Sequence, residues 1–239
     1  ANPYPMMEGV TKEKIKYKRA DGIDLTATVY LPAGYDKEKD GRLPVFMWAY
    51  PREYRNAKDA AQVRGSQYNF SIIKYGSPIF WVTRGYCVME NVEMPIVGSE
   101  DKEPNDTYIE QLVMDAEAAV KVITDMGVGD PERIGVGGQS YGAFMTGNLL
   151  THTKLFKAGI ARSGAYNRTL TPFGFQAETR TFWESPEVYN AMSPFMYANQ
   201  LSGALLLVHG ELDNNTGTFP IQSERFYQAL EGHKATVRY

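Results

Sequence analysis

The chain has 239 residues, of which 43% are hydrophobic and 22% are charged, and its formal net charge is −3. This composition is typical of a globular domain and excludes the disordered, collagen-like and disulfide-scaffold classes. The mild acidity argues against nucleic acid as a partner, because phosphate binding needs clustered Lys and Arg. No apolar run reaches the roughly 20 residues of a membrane-spanning helix, so we expect no membrane partner either.

The single cysteine and the amino terminus exclude further classes of protein. Cys87 lies in an apolar segment, so we expect it to be buried, and one cysteine excludes an internal disulfide and a multi-cysteine metal site. We predict no metal and no cofactor. Residues 1–7 contain no basic segment followed by an apolar stretch, which predicts that no secretory leader is present.

Strand signals dominate the first part of the chain. Alternating apolar and polar residues on either side of Asp21-Gly22 predict an antiparallel hairpin of residues 14–18 and 23–31. The charged segment 36–40 predicts an exposed loop. The continuous apolar run 43–49 predicts a strand that is buried on both faces.

After residue 51 the chain is irregular at first, and predicted strands then alternate with predicted helices. Residues 52–70 are polar and predict irregular structure, whereas residues 72–84 predict a helix despite Gly76 and Pro78. From there onwards, apolar runs that suit strands alternate with amphipathic segments that suit helices. The predicted strands cover residues 86–92, 134–137, 157–161, 204–208 and 235–239. The predicted helices cover residues 106–126, with Asp106 or Thr107 as the cap, 141–151 and 218–230.

Strands that alternate with helices predict an α/β fold with a mostly parallel sheet flanked by helices on both faces. We predict a single domain over residues 1–239. The long interval 163–203 is the segment that can hold a cap or a binding insertion.

The strongest local motif is Gly138-Gln139-Ser140-Tyr141-Gly142, between a predicted strand and a predicted helix. Gly-x-Ser-x-Gly in this context places a nucleophilic serine on a strained turn, with its hydroxyl above the sheet. The two glycines allow the strand and the helix to approach, and the Tyr141 amide at the helix N-terminus favours an oxyanion. The alternative is a structural turn without a catalytic role.

A nucleophilic serine needs an acid and a base, which follow it in α/β-hydrolases in the order acid, then histidine. Asp213 lies just beyond the predicted strand 204–208, where that fold places its acid, and Glu211 is the alternative. Each of the three histidines fits a structural role better than the role of the base: His152, His209 and His233. We therefore predict that the carboxy terminus is truncated and that the triad histidine lies beyond Tyr239.

Together these motifs resemble a known family. Residues 138–145 and the segment from His209 to Asn215 resemble the catalytic domain of the prolyl oligopeptidase family of serine peptidases, which has the α/β-hydrolase fold. Residues 48–54 and 161–175 look more narrowly like its glutamyl endopeptidase branch. The similarity extends from about Lys14 onwards. Members of the family carry an N-terminal β-propeller, so this chain resembles the hydrolase domain of a longer protein.

The resemblance implies cleavage of peptide substrates by acyl transfer, with Ser140 as the nucleophile and Asp213 as the acid. The oxyanion hole would combine the Tyr141 amide with a donor from Trp48, or from Tyr50 as the chemically similar alternative. The chain alone is expected to be inactive, because its triad histidine is missing.

The resemblance also implies a pocket for the residue before the scissile bond. Tyr166 would form one wall of this pocket, and Asn215 would hold a substrate carbonyl. Arg168 would bind an acidic side chain, which predicts cleavage after Glu and less readily after Asp. Arg162 and Arg180 are reserve candidates for the same role.

Alternatives remain at this point. Arg168 can instead be a surface residue paired with Glu178 or Glu184. The protein can be an esterase of the same fold, or a catalytically inactive hydrolase-fold binding module.

Overall fold

The computed structural model describes residues 3–62, 65–69 and 71–239, and a central sheet organises them. Within these residues the strands are β1 (Thr11–Lys18), β2 (Asp24–Leu31), β3 (Leu43–Ala49), β4 (Arg52–Tyr54), β5 (Cys87–Val92), β6 (Pro95–Val97), β7 (Gly129–Gln139), β8 (Ala158–Arg162), β9 (Ala204–Val208) and β10 (Thr236–Arg238). Eight of them form one sheet in the order β1-β2-β5-β3-β7-β8-β9-β10, and β4 pairs separately with β6.

The direction of the strands confirms the predicted α/β architecture. The hairpin β1–β2 is antiparallel, with Thr11 opposite Leu31, and β2 is also antiparallel to β5. From β5 to β10 every neighbouring pair in the sheet is parallel. The carboxyl ends of these parallel strands therefore meet at one edge, where loops can bring side chains together.

Helices connect the parallel strands. In the described part of the chain they are α1 (Lys37–Asp40), α2 (Ala57–Ala60), α3 (Tyr108–Asp125), α4 (Tyr141–His152), α5 (Pro186–Met192) and α6 (Ile221–Gly232). Short 3₁₀ turns add to these, among them Pro78–Arg84 and Pro104–Thr107. None of the helices in these residues is long and apolar enough to cross a membrane.

The sheet buries apolar side chains on both faces. On one face Val29 of β2 and Met89 of β5 belong to the main core together with α3 and α4. The alternate residues Tyr30 and Val88 point to the other face and pack against the 3₁₀ turn Pro78–Arg84. Cys87 is fully buried, as predicted, and burial raises its pKa to about 12. A thiol with so high a pKa is structural.

Three local predictions were wrong. Residues 72–84 are not one helix, because the positive φ of Gly76 (75°) interrupts the chain and a 3₁₀ turn begins at Pro78. The segment 52–70 contains the short elements β4 and α2; its residues Val63, Arg64 and Phe70 lie outside the described residues.

The third error concerns the exposed segment 36–40, which forms one helical turn capped by the Asp36 carboxylate. Thr107 immediately precedes α3, as predicted, but its side chain makes no capping hydrogen bond. A 3₁₀ turn precedes α3, and its cap is Glu103, whose backbone amide donates to the Asp106 side chain. The hydrophobic period does not reveal such short-range capping interactions.

Candidate active site

Ser140 lies on a sharp turn between β7 and α4. Its backbone dihedrals are φ 57° and ψ −114°, a conformation that L-residues rarely adopt. The Ser140 amide donates to the Arg162 carbonyl on β8 (2.9 Å), and its carbonyl accepts from the Ala143 and Phe144 amides. These hydrogen bonds hold the turn in a strained conformation at the carboxyl edge of the sheet, as expected for a nucleophile.

Two glycines make this turn possible. A Cβ atom on Gly138 would lie 2.5 Å from the carbonyl carbon of Gly142. A Cβ atom on Gly142 would lie 2.4 Å from the carbonyl oxygen of Ala49, at the end of β3. The elbow therefore packs against the loop that follows β3 with no room for a side chain.

The predicted oxyanion donors lie beside this contact. Tyr141 is the first residue of α4, where a backbone N–H has no acceptor within the helix. Its buried ring lies 5.9 Å from the Tyr50 ring, and the Tyr50 hydroxyl accepts from the Gln176 side chain (3.2 Å). Trp48 instead packs on Phe46 within the sheet (6.1 Å). The choice between Trp48 and Tyr50 as the second donor stays a prediction.

A cavity of about 410 Å³ opens in front of Ser140. It is lined by Ser140, Tyr141, Arg168, residues 171–176 and residues 215–218. The structure thus brings four predicted site residues together around one space: Ser140, Tyr141, Arg168 and Asn215.

Tyr166 does not line this cavity. It is fully buried and stacks on Phe226 of α6, with ring centroids 4.8 Å apart. Its amide and that of Asn167 donate to the Gln222 side chain, and the Arg168 amide donates to Ser193 (2.8 Å). This segment therefore positions Arg168 rather than forming the cavity wall.

Asp213 lies in the loop after β9. Its Oδ2 atom is 3.3 Å from Nε2 of His209, and its Oδ1 atom accepts the Asn215 amide (3.0 Å). Both nitrogens of the His209 ring are engaged, Nδ1 with the Ser223 hydroxyl (2.6 Å) and Nε2 with the Thr218 carbonyl (2.7 Å). The His209 contacts therefore order the loop that contains Asp213, whereas Glu211 is exposed.

The other two histidines lie far from the serine. His152 is the last residue of α4, which Ser140 immediately precedes, and this separates the two residues by roughly 18 Å at the usual helical rise. Its Nδ1 contacts the Asn148 carbonyl, and burial lowers its pKa. His233 lies between α6 and β10, at the amino edge of the parallel strands. Neither histidine is placed to accept the Ser140 proton.

The three candidate arginines differ in their partners. Arg180 binds Glu178 (2.8 Å) and Asp106 (2.7 Å), so it locks two loops together. The Arg162 guanidinium donates to the Gly76 carbonyl (3.3 Å) and does not line the cavity. Arg168 lines the cavity and has no ion pair with any described residue, so the alternative pairing with Glu178 or Glu184 is wrong.

Aromatic rings enclose the Arg168 guanidinium. Its central carbon lies 4.2 Å from the Phe144 ring centroid and 4.3 Å from that of Phe175, and the residue is 4% exposed. Burial lowers the Arg168 pKa, although an arginine remains charged throughout the biological pH range. The buried Nε atom has no hydrogen-bond partner among the described residues. A buried cation of this kind favours an anionic ligand.

Arg19 is a buried arginine whose hydrogen-bond and ion-pair partners all come from the protein, and it serves as a comparison for Arg168. Its side chain is 1% exposed, and it binds the Asp115 carboxylate (3.0 Å), the Asp21 carboxylate (2.8 Å) and the Gln111 side chain (3.0 Å). Arg168 is similarly enclosed but has no such set of partners among the described residues. Among the three candidate arginines, Arg168 is thus the one that lines the Ser140 cavity without an ion pair to a described residue.

Sequence reasoning missed several residues of this region. Glu53, Gln176 and Gln222 contact the candidate site residues Tyr141, Tyr50 and Tyr166 through hydrogen bonds. Single polar residues in polar segments carry no distinguishing sequence pattern. In the described part of the chain, no cluster of His, Cys, Asp and Glu could hold a metal ion.

The parallel sheet and the serine elbow define a protein of the α/β-hydrolase class. A profile of the prolyl oligopeptidase family matches residues 105–239, more than half of the chain. The chain therefore belongs to the prolyl oligopeptidase family of serine peptidases.

Individual relatives agree. The chain is 54% identical over 238 residues to a probable chloroplastic glutamyl endopeptidase of Oryza sativa subsp. japonica, covering 99% of this chain and 25% of the relative. The structure of Porphyromonas gingivalis dipeptidyl peptidase 4 matches with a TM-score of 0.71 and 26% identity, over 95% of this chain and 31% of that one. Pyrococcus horikoshii acylaminoacyl peptidase matches the fold with a TM-score of 0.72 and 22% identity, over 98% and 37%. The chain spans about a quarter of the length of the rice relative and of a second curated relative from Arabidopsis thaliana.

Proposed function

We propose that this domain cleaves peptides by acyl transfer through Ser140, on the carboxyl side of glutamate residues. The observation that carries the specificity is Arg168, a buried cation without a carboxylate partner in the described residues, in the cavity that contains Ser140. The name of the rice relative, a probable glutamyl endopeptidase, agrees with this assignment.

The chemistry would proceed in two steps. The Ser140 oxygen attacks the substrate carbonyl carbon while a base takes its proton, and the oxyanion accepts a hydrogen bond from the Tyr141 amide. The C–N bond breaks, the amine leaves with a proton from the base, and water releases the acyl group in the reverse manner. Asp213 would orient the base.

The base would be a histidine other than His152, His209 and His233. The two ring nitrogens of His209 are occupied, and the other two histidines lie away from Ser140. The 239-residue chain alone would therefore hydrolyse peptides negligibly, since a triad without its base loses several orders of magnitude in rate. We further propose that the domain acts together with a β-propeller in a longer protein.

The preference for glutamate follows from the surroundings of Arg168. A substrate carboxylate would supply the direct ion-pair partner that Arg168 lacks among the described residues, through two parallel hydrogen bonds to the guanidinium. The rings of Phe144 and Phe175 keep water away from one side of this contact, which strengthens it relative to solvent. A neutral glutamine side chain would leave the Arg168 guanidinium without a direct ion pair.

The test compares paired peptides with Glu or Gln before the scissile bond, in the full-length enzyme and in its Arg168→Gln variant. We expect kcat/KM to favour Glu at least about tenfold, about 1.4 kcal/mol, in the parent enzyme and to lose this preference in the variant. Arg162→Gln is the matched control, because Arg162 lies outside the cavity, and it should retain the preference. A parent ratio near one would remove the glutamyl assignment.

A further inference from the structure

A carboxylate lies behind the specificity cavity, and the proposed chemistry does not use it. Glu53 on β4 is partly buried, and its Oε1 atom accepts a 2.5 Å hydrogen bond from the Tyr141 hydroxyl. The ring of the same tyrosine lies 5.5 Å from the Arg168 guanidinium carbon. Glu53 and Arg168 thus contact one aromatic side chain without forming an ion pair with each other.

The position of Glu53 is determined by backbone pairing. In the β4–β6 pair Glu53 lies opposite Ile96, which is fully buried, and the Gly98 amide donates to the Tyr54 carbonyl (2.8 Å). This pairing holds the carboxylate against Tyr141 and away from bulk water. Burial raises the Glu53 pKa, while the Tyr141 hydroxyl and the Arg168 charge act in the opposite direction.

We propose that Glu53 is a positioning residue for specificity, a counter-charge that stabilises the buried Arg168 while leaving its hydrogen-bonding edge free for the substrate carboxylate. This inference rests on the proposed function. A direct ion pair, such as that of Arg19 with Asp115, would occupy the guanidinium and block substrate. A cation with no counter-charge at all would be costly to bury.

The sign of the effect follows from Coulomb's law. The Glu53 carboxylate repels the substrate carboxylate and partly neutralises the cation that attracts it. Glu53→Gln removes this negative charge but retains an oxygen that can accept the Tyr141 hydrogen bond. The variant should therefore bind an anionic side chain more strongly relative to a neutral one.

The experiment measures kcat/KM for the paired Glu and Gln peptides in the full-length enzyme. We expect E53Q to raise the Glu:Gln ratio about threefold or more, with turnover of the Gln peptide nearly unchanged. The control is Glu90→Gln, because Glu90 is a partly buried carboxylate on β5 whose pKa burial also raises, in a separate cavity. It should leave the ratio unchanged.

The outcomes separate the two proposals. A parent ratio near one would overturn the glutamyl function and this inference with it. A parent that prefers Glu, with an E53Q ratio that stays the same or falls, would overturn the role of Glu53 alone.

Thermal unfolding gives a second test that needs no substrate and applies if E53Q folds poorly. If Glu53 stabilises the Arg168 charge, the loss of unfolding free energy in the double variant E53Q/R168Q should be smaller than the sum of the losses in the two single variants. Additive losses would contradict a charge interaction between these two residues.

Discussion

Replacing Gly142 with alanine tests whether the elbow needs the close contact with the loop after β3. The added Cβ atom would lie 2.4 Å from the Ala49 carbonyl oxygen, and real Cβ contacts are essentially never below 3.0 Å. The elbow and the loop must therefore separate by about 0.6 Å or more. Forcing such a group into a packed site costs about 1–3 kcal/mol.

The displacement also affects catalysis. The Tyr141 amide lies on one side of this contact and Tyr50 on the other, so the variant changes the spacing of the predicted oxyanion donors. A misplacement of about 1 Å can reduce a rate about 100-fold. We expect Gly142→Ala to lower kcat/KM about 10- to 100-fold in the full-length enzyme and to lower its midpoint of thermal unfolding by several degrees.

The assay is peptide hydrolysis together with the rate of Ser140 labelling by a fluorophosphonate probe. The matched control is Gly232→Ala at the end of α6, where a Cβ atom would meet nothing within 4 Å. That variant should keep full activity and gain up to about 1 kcal/mol of stability from helix propensity. Wild-type turnover in Gly142→Ala, or equal losses in both variants, would refute the packing argument.

Two further outcomes are expected. Ser140→Ala in the full-length enzyme should abolish turnover and fluorophosphonate labelling with little change in stability, because the elbow depends on Gly138 and Gly142; retained labelling would place the nucleophile elsewhere. Burial acts to raise the Glu178 pKa, but hydrogen bonds and the charge of Arg180 hold it below the ordinary value of 4.5. The ionised Glu178 therefore stabilises the folded state fully above pH 4.5, and this contribution is lost as the pH falls through the lowered pKa. Arg180→Gln should therefore flatten the acid side of the stability–pH curve, measured by thermal unfolding, and an unchanged slope would contradict the linkage.

The burial of Glu53 and Arg168 could not be predicted from sequence patterns. Both are charged residues in polar segments, and such residues are usually solvated. Their burial arises because β4 pairs with β6 and because α4 presents Tyr141 and Phe144 to the loop after β8. Contacts between segments that are distant along the chain leave no trace in local composition.

The amino-acid sequence by itself determined the mostly parallel sheet, the serine elbow and the assignment to a family, because these depend on local apolar periodicity and on glycines at fixed spacing. It also led to Arg168 as one of three candidate arginines. Only the tertiary structure distinguished their surroundings, since Arg180 binds Glu178 and Arg162 donates to the Gly76 carbonyl, whereas Arg168 lines the cavity of Ser140. Which charges find partners is a property of three-dimensional packing.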